Sequence, residues 1–105
     1  MAVPLSPRAA RLIARLVPVA LQARVFALCA EAPALTGPAS TAALDRVHFA
    51  VIRLAAEGER SFAAAAQLYR IDTRDLLVNA GFADDARAHE AWFARVCGGD
   101  EGATG

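Results

Sequence analysis

Few residues in this chain are equipped for acid–base or metal chemistry, and their spacing limits what each can do. His89 and Glu90 open a string, His-Glu-Ala-Trp-Phe, that would need a second His at position 93 to hold zinc on one helical face. Position 93 is Phe, so no metal site is expected. His89 follows Asp85 by four residues, the interval at which helical side chains meet, and a local ion pair or hydrogen bond is the simpler expectation. His48 stands beside an apolar stripe and is expected at the edge of the core, with Asp45 three residues earlier as a weak candidate to orient it. A catalytic His also needs a positioned nucleophile, and the sequence offers no specific one. Nor does a glycine cluster open a helix after a strand to cradle phosphate. The chain is therefore read as a non-enzyme, with no catalytic residues, no cofactor and no metal.

Arginines supply two further candidates. Arg8, Arg11 and Arg15 share a helical face by their spacing of three and four. A solvated face is the plain expectation, and an anionic membrane or an acidic partner the alternative. Between Phe62 and Gly81, two short helices with a tight turn at Ile71 and Asp72 form a helix-turn-helix-like hairpin near 61–81. Ala66, Ile71 and Leu76 fall where such a unit places a small residue, an apolar turn residue and an apolar residue of the second helix. Arg60, Arg70 and Arg74 would then meet the duplex. Asp72 and Asp75 put negative charge at the same helix start, against the phosphates that dominate affinity. The formal net charge is zero, without the basic excess usual in a nucleic-acid binder.

The elements that must position these residues are helical. Apolar residues make up 56% of 105, nearly half of them Ala, and aromatics only 7%, which favours helices packed closely around a few large anchors. Phe26, Phe49, Phe62, Tyr69, Phe82, Trp92 and Phe93 are those anchors. All eleven basic residues are Arg, as a GC-rich genome would give. Ser6 caps a helix with Pro7 at its first position, and Pro18 kinks or restarts it near Val17. A second piece follows from Val19 to about Ala32, with Leu21, Val25 and Leu28 as its stripe. Pro33, Gly37 and Pro38 mark a loop. Ser40 or Thr41 then caps a helix to about Glu57. Its stripe of Leu44, Val47, Val51 and Leu54 has a second apolar row beside it, Phe49, Ile52 and Ala56, which predicts a central helix buried on more than one side. Ser61 is expected to cap the next helix, Asp72 the one after, and Asp84 the last, with stops at Gly58, Gly81 and Cys97.

The fold class expected is all-α: a compact bundle of five or six helices in a single domain over 1–97, with a disordered, Gly-rich acidic tail over 98–105. Cys29 and Cys97 lie far apart and are read as reduced core residues. The apolar run Leu16–Leu21 is too short for a membrane span. No secretory signal is legible, and the expected location is the cytoplasm.

The segment Asp72-Thr-Arg-Asp-Leu-Leu-Val-Asn-Ala-Gly-Phe82, with Asp45-Arg-Val-His-Phe-Ala-Val-Ile-Arg-Leu54 before it, resembles short bacterial proteins. They carry an Asp-Arg-Val segment and an Asp-aromatic-Arg-Asp-Leu-Leu segment ending in Ala-Gly-Phe. Thr73 stands at the aromatic position here. The resemblance covers about Leu44 to Trp92 and implies no activity.

The functional expectation is an accessory or interaction protein that binds another protein or itself; the alternative is a helix-turn-helix DNA-binding regulator. Leu12, Leu16, Leu21, Val25 and Phe26, in an N-terminal third more apolar than so short a chain needs, are the interface candidates if exposed. On that reading, a carboxylate at Leu21 breaks association and leaves the fold intact.

Overall fold

The computed structural model describes residues 5–35 and 40–104, with side chains described as far as Cys97. Among these residues there are six helices and no strand: α1 Pro7–Leu16, α2 Val19–Cys29, α3 Thr41–Ala55, α4 Glu59–Ile71, α5 Thr73–Ala80 and α6 Ala88–Thr104. The turn at Gly37 and Pro38 and the side chains of the expected tail lie outside the described residues, while the α6 backbone continues past Cys97.

Local chemistry sets most of the boundaries. The Ser6 side chain accepts from the Ala9 amide, and Pro7 occupies the first helical position, where its missing N–H costs nothing. Proline drives its predecessor out of the helical region. Val17 is accordingly extended (φ −86°, ψ 133°), and α1 and α2 are separate helices rather than one kinked rod. The Gln22 side chain closes that corner by donating to the Val17 carbonyl at 3.1 Å. Ser40 caps α3, and Asp72 caps α5 by accepting from Arg74 and Asp75. Gly81 ends α5 in the left-handed conformation (φ 80°). There the Phe82 amide reaches back to the Leu77 carbonyl at 2.8 Å, which carries the Phe82 side chain into the core.

Two starts differ from expectation. α4 begins at Glu59 with Gly58 as its N-cap, so Ser61 lies inside the helix, its hydroxyl donating to Glu57 at 3.3 Å. α6 begins at Ala88, because Asp85 spends its carboxylate on the Arg87 amide in a turn before the helix.

α3 is the hub and touches each of the other five helices. Val47, Phe49, Ala50, Val51, Ile52, Leu54 and Ala55 are all buried on it, together with Asp45 and His48. One core cluster joins all six helices, from Leu12 and Ile13 through Val25, Tyr69 and Leu76 to Trp92 and Cys97. Most expected anchors are found there. Phe93 is only partly buried, and Phe26 stands on the outside, 41% exposed.

Three of the five interface candidates are core residues. Leu12 and Val25 are fully buried and Leu21 is 5% exposed, because α1 and α2 both turn these residues towards α3. Leu16 is partly buried against the same cluster, which leaves Phe26 as the one exposed candidate. The expectation for Leu21 reverses accordingly. Leu21→Asp places an unpaired charge in the core and should abolish cooperative thermal unfolding by circular dichroism. A folded variant with an unchanged melt would show that α2 does not pack as described.

Candidate functional site

Polar side chains converge at the junction of α1, α3 and α6, around the Arg8 guanidinium. It makes a two-pronged contact with Glu90, at 2.6 and 2.7 Å, and donates to Asp45 Oδ2 at 2.9 Å. The same group lies 5.3 Å from the Phe49 ring centroid and 5.0 Å from that of Phe93. Asp45 is 5% exposed and needs a cation at this depth. The hydrogen bond from Arg8 holds the Glu90 carboxyl below its ordinary range and keeps Arg8 charged. Both carboxylates are thus bound by the same guanidinium. As an arrangement, this is a clamp between three helices.

His89 lies beneath this clamp, in edge contact with Phe49 and Phe82. It is 3% exposed, so the ion pair expected with Asp85 is not formed; Asp85 lies before the helix, and the imidazole faces the core. Its Nε2 is 3.2 Å from Glu90 Oε2 but out of line for a hydrogen bond, and neither ring nitrogen has a partner. Burial pushes its pKa down, against the pull of Glu90. Arg46 closes the far side by donating to the Phe82 carbonyl at 2.7 Å.

His48 is not at the core boundary; it is fully buried, and Asp45 does not orient it, being held by Arg8. Its Nε2 is 3.2 Å from the Tyr69 hydroxyl. That hydroxyl lies 2.6 Å from the Glu31 carbonyl, which can only accept. Tyr69 therefore donates to Glu31 and accepts from His48, so the proton sits on Nε2 and Nδ1 is left without a partner. Burial lowers the His48 pKa and raises those of the Tyr69 phenol and the Cys29 thiol, the latter to about 12. The Tyr69 hydroxyl fastens the segment after α2, which is also held by Ala34 N–H to Tyr69 O at 3.0 Å and by the Thr73 hydroxyl to Ala34 O at 2.8 Å.

The basic residues of the hairpin are spread over both of its helices. Arg70 is forked onto Glu31, at 2.9 and 2.8 Å. Arg60 and Arg74 are exposed, on α4 and α5 respectively. Only Asp72 separates the two helices, and Ile71, expected in the buried turn, is 65% exposed. Leu76 is buried as such a unit requires, but the turn residue that carried the resemblance is not.

The outer face of α2 carries a different signal. Only Gln22 and Arg24 are polar among its eleven residues. Leu21, Val25, Leu28 and Cys29 are buried, while Val19 (84%), Ala20, Ala23, Phe26, Ala27 and the capping Ala30 are exposed. A helix that is apolar all round is normally covered all round. Beside this face, a groove of about 400 Å³ runs between α2 and α4, with Ala27, Leu28, Phe62, Ala63 and Ala66 in its lining. Arg24 bridges its rim, paired with Glu59 at 2.9 Å and lying over the Phe62 ring. A second 3-4-3 row at Ala20, Ala23, Ala27 and Ala30 is the signal that would have found this face in the sequence; the larger Leu21–Val25–Leu28 stripe overshadows it.

Comparison of the chain with known protein families, with curated proteins and with solved structures returned no match. Among the described residues, no helix is long and apolar enough to cross a membrane, and no three His, Cys, Asp or Glu side chains gather as metal ligands would.

The buried histidines fix the pH response of the fold. Both have folded-state pKa values below the ordinary ~6.5, so the unfolded chain takes up their protons first. The stability they allow is complete above that value and falls as the pH drops through it. Glu90 adds a further loss only below the ordinary glutamate range. Urea midpoints should therefore decline between about pH 7 and pH 5. A flat profile across that window would show that neither histidine is buried in the neutral form.

Proposed function

We propose that this chain is a small, non-enzymatic interaction module that binds protein through the outer face of α2. The observation carrying this reading is the apolar surface on both sides of one helix. The inner side already fills the core, so the outer side gains nothing within the monomer, and it exposes Phe26 and Val19 on one short element. Protein interfaces favour apolar and aromatic centres depleted of charge and bordered by polar residues. Here Arg24, Glu59, Glu31 and Arg70 border an alanine-rich centre and are already paired with one another. Asp45, Glu90 and His48 are engaged in contacts between helices, which favours a non-catalytic role. Two buried, unpaired thiols favour the cytoplasm as the place of action.

Site-specific photo-crosslinking in cells tests the reading. A photoreactive phenylalanine analogue at Ala27 should give a discrete adduct of higher mass, and the same group at exposed Arg87 should not. Equal yields from both positions, or none from Ala27, would contradict a contact face on α2.

A further inference from the structure

We infer that the occupant of this face is a second copy of the same chain, with the two α2 helices antiparallel about a two-fold axis. The inference rests on the reading of α2 as a contact surface and adds the identity of the partner. Ala20, Ala23, Ala27 and Ala30 repeat at three, four and three residues, the spacing of a coiled-coil seam, and all four are exposed. That spacing is the same read in either direction. An antiparallel two-fold pairing therefore sets Ala20 against Ala30 of the second copy and Ala23 against Ala27. With only methyl groups on the seam, the helices can close to the short end of the usual interaxial range, about 8 Å.

The borders of the seam match under the same operation. On one side is Phe26, whose exposed ring meets the Phe26 ring of the second copy near the axis, as aromatic anchors do in interfaces. On the other side is Arg24, which arrives already paired with Glu59 of α4. Two such pairs brought together place two positive and two negative groups beside one another, so each guanidinium has a carboxylate on both copies to face. An isologous interface requires this self-complementarity, and a partner of strong single-sign charge would find no match on a border whose charges already cancel. The paired segment is short, ~16 Å for eleven residues. So short a contact should give a reversible, concentration-dependent dimer.

Sedimentation equilibrium of the purified chain tests this directly. The average mass should rise from one chain towards two across the micromolar range, and Phe26→Asp and Ala27→Glu should each remain at one chain while keeping the helical circular dichroism spectrum. Single-cysteine additions then give the orientation, since Cys29 and Cys97 are buried. A mixture of Ala23→Cys and Ala27→Cys chains should form disulfide-linked dimers severalfold faster than either variant alone. A chain that stays monomeric at every concentration overturns the inference. So does a dimer indifferent to Phe26→Asp and Ala27→Glu, or preferential linkage of Ala27→Cys to itself. If monomeric protein still gives a discrete Ala27 crosslink to another protein in cells, the contact face stands and only its self-pairing fails.

Discussion

A carboxylate cannot stay charged inside a helical bundle without a cation beside it, and Asp45 of α3 is such a carboxylate. Arg8 answers that need from α1 and at the same time grips Glu90 of α6, across 82 positions of sequence. Three helices thus meet at one guanidinium, which also roofs the Phe49 and Phe93 rings. The pattern repeats less deeply elsewhere. Arg46 ties α3 to the Phe82 carbonyl, and Arg53 lies over the Phe82 and Trp92 rings at 5.3 and 5.8 Å. A chain whose every basic residue is Arg uses planar, multi-donor groups to join helices that its small alanines cannot grip.

With α3 wrapped by the other five helices, α2 is left with Val19 and Phe26 on its outer face, while Ile71 of α4 and Val78 of α5 are the other large apolar residues exposed among the described residues. The Tyr69 hydroxyl, held by His48, ties down the Glu31 carbonyl just past the end of α2. Burial of Leu21, Val25 and Leu28 sets which face of α2 turns inward, and the alanine row with Phe26 is what the opposite face presents.

Much of the fold was legible because it depends on neighbours in sequence. Ser6 with Pro7, Ser40, Asp72 and Gly81 act within one turn, and the stripe of α3 reports its own burial. What was not legible depends on distant partners. The spacing of Arg8, Arg11 and Arg15 suggested a single face, but only the fold brings Glu90 and Asp45 to Arg8. Periodicity placed His48 at a boundary and spacing paired His89 with Asp85 on one helix, and both imidazoles are buried because aromatic neighbours from other helices close over them. Leu12, Leu21 and Val25 are core residues rather than surface candidates for the same reason. The largest apolar residues of α1 and α2 are the ones the core takes first, leaving the alanine row and Phe26 outside.

The claim that Arg8 is the joint on which the bundle depends is tested most directly by a double-mutant cycle with Asp45, read by urea unfolding. Arg8→Met should cost about 2–3 kcal/mol, somewhat less than for a fully buried pair because Arg8 is partly exposed. In an Asp45→Asn background the same substitution should cost at least ~1 kcal/mol less, since no buried charge is stranded. Equal costs in the two backgrounds would show that Asp45 does not depend on Arg8 and would contradict the account.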